Sequence, residues 1–177
     1  MHPEDPSVKA DDRPWFESLV RITARPAVRF AYMQVRDIDI AQEIVQEAFT
    51  RVWASKNTPS EEVEFRRWLY RVVSNLVKDY HRRQFRQRKP LYALVDVADP
   101  LAEVERRAGD PALLDALHSL SLREQQAIYL RYFEDQSFAE TARVLGMPSV
   151  SVRVLVHRAL ARLRSRLAAA QAREVAV

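Results

Sequence analysis

The chain contains no cysteine, which excludes disulfides, thiolate metal sites and a built-in thiol redox sensor. Glycine is almost as scarce: only Gly109 and Gly146 occur. A β-fold would need many glycine-bearing turns, so the balance of Ala, Leu, Arg and Val points to helices. Two well-separated glycines also exclude a phosphate-cradling loop. No apolar run approaches the roughly 20 residues of a membrane-spanning helix, so no membrane insertion is expected. The segment Met1 to Pro14 is polar and proline-bearing, without the apolar stretch of a signal peptide. A soluble chain in the cytoplasm is therefore expected. His2, His81, His118 and His157 are scattered without metal-ligand spacing, and no carboxylate falls in a recognisable apolar pocket. Nothing suggests catalytic residues, a metal site or a cofactor, and the chain does not read as an enzyme.

What is present is charge in blocks. The 177 residues are 47% apolar, ordinary for a globular chain, with a net charge of +4. That length suits one ordinary domain or two small ones. From Phe65 to Lys89 the basic residues Arg66, Arg67, Arg71, Lys78, Arg82, Arg83, Arg86, Arg88 and Lys89 are opposed only by Asp79. A mostly acidic stretch follows, carrying Asp96, Asp99, Glu103, Glu105, Asp110 and Asp115. The chain then turns basic again from Arg143 to Arg173. Basic, acidic, basic suggests two units facing nucleic acid, joined by an acidic tether. Pro90, Pro100, Gly109 and Pro111 punctuate that tether.

Periodicity reads as helix in both units. Trp15, Phe16, Leu19, Val20 and Ile22 form one amphipathic set, which Pro26 either kinks or separates from a second helix. Ile40, Ile44, Val45, Ala48, Phe49, Val52 and Trp53 form another. Phe65, Trp68, Leu69, Val72, Val73, Leu76, Val77 and Tyr80 form a third. In the second unit, Ser121 with Glu124 and Ser137 with Glu140 both match the capping box. The first opens a helix carrying Ala127, Ile128, Leu130 and Tyr132. The second opens a short helix that Gly146 ends in the left-handed region. Ser149 is expected to cap a last helix whose inner positions are Val152, Val156, Ala159, Leu160 and Leu163. A short helix, a glycine turn and a basic helix make a helix-turn-helix.

Each motif has a plainer reading. The helix-turn-helix also fits an ordinary helical hairpin with solvated arginines, although capping, turn and charge together favour DNA binding. The helix from Phe65 interleaves arginines with Trp68, Tyr70, Asn75 and Tyr80, a mixture suited to unpaired DNA. Trp68, however, falls on the apolar stripe and reads as core. The polar face Asp39, Gln42, Glu43, Gln46 and Glu47 reads, taken alone, as solvated surface.

Three segments together resemble the extracytoplasmic-function (ECF) group of bacterial RNA polymerase sigma factors. Ile44-Val-Gln-Glu-Ala-Phe-Thr-Arg-Val-Trp53 is similar to region 2.2. Phe65-Arg-Arg-Trp-Leu-Tyr-Arg-Val-Val-Ser-Asn75, with Asp79 and Arg82-Arg83, is similar to regions 2.3 and 2.4. Leu120-Ser-Leu-Arg-Glu124, Leu130-Arg-Tyr-Phe133, Ser137-Phe-Ala-Glu140 and His157-Arg-Ala-Leu-Ala-Arg-Leu-Arg164 are similar to region 4. The resemblance implies an all-α fold: a region 2 bundle over 15–89 and a region 4 helix-turn-helix over 111–168. A flexible acidic linker at 90–110 would join them, with tails at 1–14 and 169–177.

Roles follow from the same resemblance. Asp39, Glu43, Gln46 and Glu47 would bind core polymerase at its clamp helices, and region 4 its flap. Arg67, Arg71, Asn75, Lys78, Arg82 and Arg83 would engage the minus-10 element of promoter DNA. Ser149, Ser151, Arg153, Val154, His157 and Arg158 would face the minus-35 element. An anti-sigma factor is an expected further partner. One departure stands out: Val154 and Leu155 occupy positions that are polar and basic in many relatives. Apolar contacts to thymine methyls, or an inhibitory partner, would account for them.

Overall fold

The computed structural model describes residues 14–87 and 111–175. The expected linker at 90–110 therefore lies outside the described residues. All regular structure among the described residues is helical. Helices α1 (Pro14–Val35), α2 (Ile38–Ala54) and α3 (Glu62–Gln87) form the first unit. Helices α4 (Pro111–His118), α5 (Leu122–Tyr132), α6 (Phe138–Leu145) and α7 (Ser149–Val175) form the second.

In the first unit, α1 packs along both α2 and α3. Phe16 is its aromatic hub, meeting Trp15, Phe49, Trp53 and Phe65 edge-on with ring centroids 4.8–6.5 Å apart. Pro26 neither breaks nor divides α1, which runs as one helix from Pro14. The turn after it puts Arg36 at φ 59°, and the Arg36 N–H closes on the Tyr32 carbonyl at 2.8 Å. Asp37 then caps α2, accepting from the Ile40 N–H at 3.0 Å. In α3 the acidic first turn, Glu62 and Glu64, complements the helix dipole. Below it, Phe65, Leu69, Val73 and Val77 are fully buried.

Both capping boxes form, in different ways. At α6 the exchange is reciprocal: the Glu140 N–H donates to Ser137 Oγ at 3.2 Å and the Ser137 N–H to the Glu140 carboxylate at 2.7 Å. At α5 the Glu124 carboxylate accepts from both the N–H and the hydroxyl of Ser121, at 2.9 and 2.7 Å. Arg162 of α7 also reaches that nearly buried carboxylate, at 2.8 Å, tying the last helix to the first turn of α5. Gly146 ends α6 at φ 64°. Ser149 is the first residue of α7 rather than its cap, because the Val152 N–H bonds the Pro148 carbonyl at 3.2 Å. Val152, Val156, Ala159 and Leu163 are buried as expected. Helix α7 continues through 169–175, beyond the expected domain edge.

The two units pack on each other, with α5 against α1 and α6 against α3. Tyr129 lies 5.2 Å from the ring of Phe30 and 6.4 Å from that of Tyr70, and its hydroxyl donates to the Pro26 carbonyl at 3.0 Å. Two buried amides also meet there: Gln126 Nε2 donates to Gln34 Oε1 at 2.7 Å. A buried amide must find partners, and Gln34 finds a second in the Phe30 carbonyl.

Candidate nucleic-acid and polymerase interfaces

Three faces carry the expected site residues. The outer face of α2 exposes Asp39, Gln42, Glu43, Gln46 and Glu47, with Glu47 paired to Arg51 at 2.7 Å. Beside it runs a groove of about 550 Å³ between α1 and α2, floored by Phe16, Val20, Val28, Val45 and Phe49 and edged by Gln42 and Gln46. Sequence reasoning missed this groove, because Val20 read as part of an inward-facing set and Val28 carried no signal of its own. Only the packing shows that they line an open channel.

Along α3, Arg67, Arg71, Asn75, Lys78 and Arg82 follow steps of three and four, so they share one face. Arg71, Asn75, Arg82 and Arg83 are exposed, with Arg82 3.5 Å from Asp79. Arg67 is committed elsewhere: it pairs with Glu64 and, at 2.7 Å, with Glu140 of α6. Those two carboxylates, Glu140 first, hold its guanidinium still more firmly charged. The neighbouring Arg66 lies 3.7 Å from Glu134, whose carboxyl is pushed up by burial. Lys78 is half-buried, and burial together with nearby Arg123, Arg82 and Arg71 lowers its ammonium from the usual lysine value. Four of the six expected minus-10 residues are therefore open, Lys78 is half-buried, and Arg67 is engaged by the second unit. Trp68 is half-buried and packs against the core. It also lines a cleft of about 410 Å³ with Arg67, Arg71 and Arg143, so core and cleft share it.

On α7, Arg153, Val154, His157 and Arg158 are exposed on one face, while Ser149 and Ser151 are half-buried at its start. The face is sculpted by Phe138, over which Arg153 lies at 5.0 Å and Arg131 at 4.6 Å. Leu155 is half-buried and packed against the core, which takes it out of the exposed set. Val150, which sequence reasoning left out, is the most exposed residue of that face's apolar pair with Val154. Among the described residues there is no group of three or more His, Cys, Asp or Glu arranged to hold a metal. No single helix among them is long and apolar enough to cross a membrane.

Residues 19–87 match the family model for sigma-70 region 2, and residues 111–163 the model for sigma-70 region 4. The RNA polymerase sigma-E factor of Streptomyces coelicolor is 32% identical over 87% of this chain and 86% of its own length. The ECF RNA polymerase sigma factor SigW of Bacillus subtilis is 28% identical over 90% of this chain and 92% of its own. Among solved structures, the sigma factor RpoE of Bartonella quintana, in complex with the anti-sigma factor NepR, shares the fold. Its TM-score is 0.71 at 19% identity, over 86% of this chain and 96% of that one. The chain belongs to the extracytoplasmic-function group of the sigma-70 family of RNA polymerase sigma factors.

Proposed function

We propose that this chain is a dissociable, non-enzymatic initiation subunit that works in the cytoplasm. It docks on the clamp helices of core RNA polymerase through Asp39, Glu43, Gln46 and Glu47 of α2, and on the flap through its second unit. Arg71, Asn75, Lys78, Arg82 and Arg83 of α3 engage the minus-10 element, joined by Arg67 once it leaves Glu140. Ser149, Ser151, Arg153, Val154, His157 and Arg158 face the minus-35 element. The observation that carries this reading is the opposition of two exposed faces on one chain. An acidic and amide face on α2 suits a protein partner, and a cationic face on α7, without a carboxylate between Ser149 and Arg173, suits DNA. The working units are residues 15–89 and 111–168, joined by 90–110.

An anti-sigma factor is proposed as the regulator. The Bartonella protein of the same fold was solved with one, and the apolar groove between α1 and α2 offers an amphipathic helix a place to bind. With no cysteine in the chain, any thiol sensing lies in that partner.

The test is gel filtration of the chain with bacterial core polymerase, beside a Gln46→Ala/Glu47→Ala variant. Co-elution of the wild type, weakened in the variant, supports docking through α2. A wild-type chain that elutes apart from core overturns the reading. Promoter binding should also fall steeply with salt, since phosphate contacts release counterions.

A further inference from the structure

The start of α7 carries an apolar pair that the fold does not use. Val150 is 72% exposed and Val154 is 45% exposed, and the two lie one helical turn apart on the same outer face. Neither packs against the core, in contrast to Val152 and Val156 between and beyond them, which are buried. Leu155, the other apolar departure on this helix, is half-buried against the core. Valine is also a weaker helix former than the alanine or arginine that an exposed position tolerates. Neither stability nor helix propensity therefore accounts for valine at these two places.

The surroundings indicate what the pair meets. Arg153 and Arg158, with His157, flank it on the same face, all exposed. Arg153 is held over the ring of Phe138 at 5.0 Å, which orders the rim before anything binds. An exposed apolar spot inside a cationic rim, on the second helix of a helix-turn-helix, complements a polyanion that presents an apolar group at the floor of a groove. In the major groove of DNA, thymine is the one base with such a group, its C5-methyl.

We infer that Val150 and Val154 form an apolar reader of thymine C5-methyl groups in the promoter element bound by α7, and so set base preference there. The inference rests on the proposed docking of α7 in the major groove. Arg153 and Arg158 supply attraction to phosphates without sequence information, while the valines supply discrimination. Removing a methyl that Val150 or Val154 covers should cost about fourfold in affinity, the value of one buried methylene-sized group.

The experiment uses the full chain bound to core polymerase and duplexes carrying its selected upstream element. Each thymine in that element is replaced in turn by deoxyuridine, which pairs identically and lacks only the methyl. The expected result is a loss of about fourfold at one or two thymines. That loss should vanish in the Val150→Ala/Val154→Ala variant, which binds the thymine duplex more weakly and the deoxyuridine duplex as the wild type does. Both valines are exposed, so the variant should keep its fold, and an unchanged melting temperature checks this. Indifference to deoxyuridine at every position, with promoter binding intact, overturns the inference and leaves the proposed function standing. The inference is equally overturned if the alanine variant keeps its DNA preference but loses a protein partner. If the polymerase complex binds no promoter at all, the proposed function fails and the inference falls with it.

Discussion

At the scale of single residues, two side chains sit where their chemistry is uncomfortable. Arg36 holds φ 59° in the turn between α1 and α2, a conformation that costs a residue with a Cβ roughly 1–2 kcal/mol. Glycine there removes that strain and gives back part of the gain in unfolded-state entropy. Arg36→Gly is expected to raise stability by about 0.5–1 kcal/mol, read as a higher midpoint in urea. An unchanged or lower midpoint would show that the arginine side chain earns its place through a contact. The second case is His118, half-buried at the end of α4. Burial, and then the charge of Arg36, lower its imidazole from the usual value, with Asp115 pulling the other way. A base whose folded value is depressed prefers to be neutral in the fold. Its contribution is present above the unfolded value of about 6.5 and is lost as pH falls through the folded one. Unfolding midpoints measured from pH 7.5 to 5 should therefore fall in the wild type and fall less in His118→Gln. Parallel curves would remove His118 as the cause.

At the scale of elements, α6 depends on both of its ends. Gly146 holds φ 64°, and a Cβ added there meets nothing within 4 Å. The cost of Gly146→Ala is therefore backbone strain alone, about 1 kcal/mol, and Gly146→Asn should cost less, since Asn tolerates the left-handed region better. Equal losses for both would mean that something other than the backbone is at stake. At the other end, the Ser137 backbone N–H first, then the Ser137 hydroxyl and Arg67, bring the Glu140 carboxyl down to about 2. A lowered acid contributes above its unfolded value of 4.5 and loses that contribution as pH falls toward 2. Acid unfolding followed by helical ellipticity should accordingly begin at higher pH in Glu140→Ala than in the wild type. The elements were also the most legible part of the sequence. The inner faces of α2, α3 and α7, both capping boxes and the glycine stop follow from periodicity and cap chemistry and are present, except that Trp53 is 38% exposed at the end of its stripe and Leu160 is only half-buried. The continuity of α1 through Pro26 was not legible. The missing N–H costs one hydrogen bond, and packing along both α2 and α3 outweighs it. The Asp37 cap was also missed, because an Arg-Asp-Ile-Asp run offers two candidate acids and only the backbone angles choose between them.

At the scale of the whole molecule, the expectation of two units joined by a tether left out how they meet. No pattern in the sequence marks Gln34 and Gln126 as partners 92 positions apart, because glutamine on a helix reads as solvated surface. Nor does the sequence mark Glu140 as the partner of Arg67, 73 positions away. The contact between the units combines the aromatic packing of Phe30, Tyr70 and Tyr129 with two amides, two ion pairs and the Tyr129 hydroxyl. Its polar members are the part that a substitution can weaken without touching the core of either unit. In the proposed function Arg67 leaves Glu140 for a promoter phosphate, and lifting of α6 off α3 would free it to do so. Glu140→Gln tests this cleanly, since glutamine keeps the capping box of α6 while losing the charge that faces Arg67. Combined with Tyr129→Phe, which removes the hydroxyl bound to the Pro26 carbonyl, it should loosen the packing of the units without unfolding either. The expected outcome is unchanged helical ellipticity, a larger radius of gyration in small-angle scattering, and tighter binding of the isolated chain to single-stranded minus-10 DNA. Because the chain has no cysteine, a single cysteine placed on each unit can carry labels that report the same separation as a distance. An unaltered radius together with unaltered DNA binding would mean that these two contacts do not hold the units together, and that Arg67 is kept from DNA by the wider packing of α6 on α3.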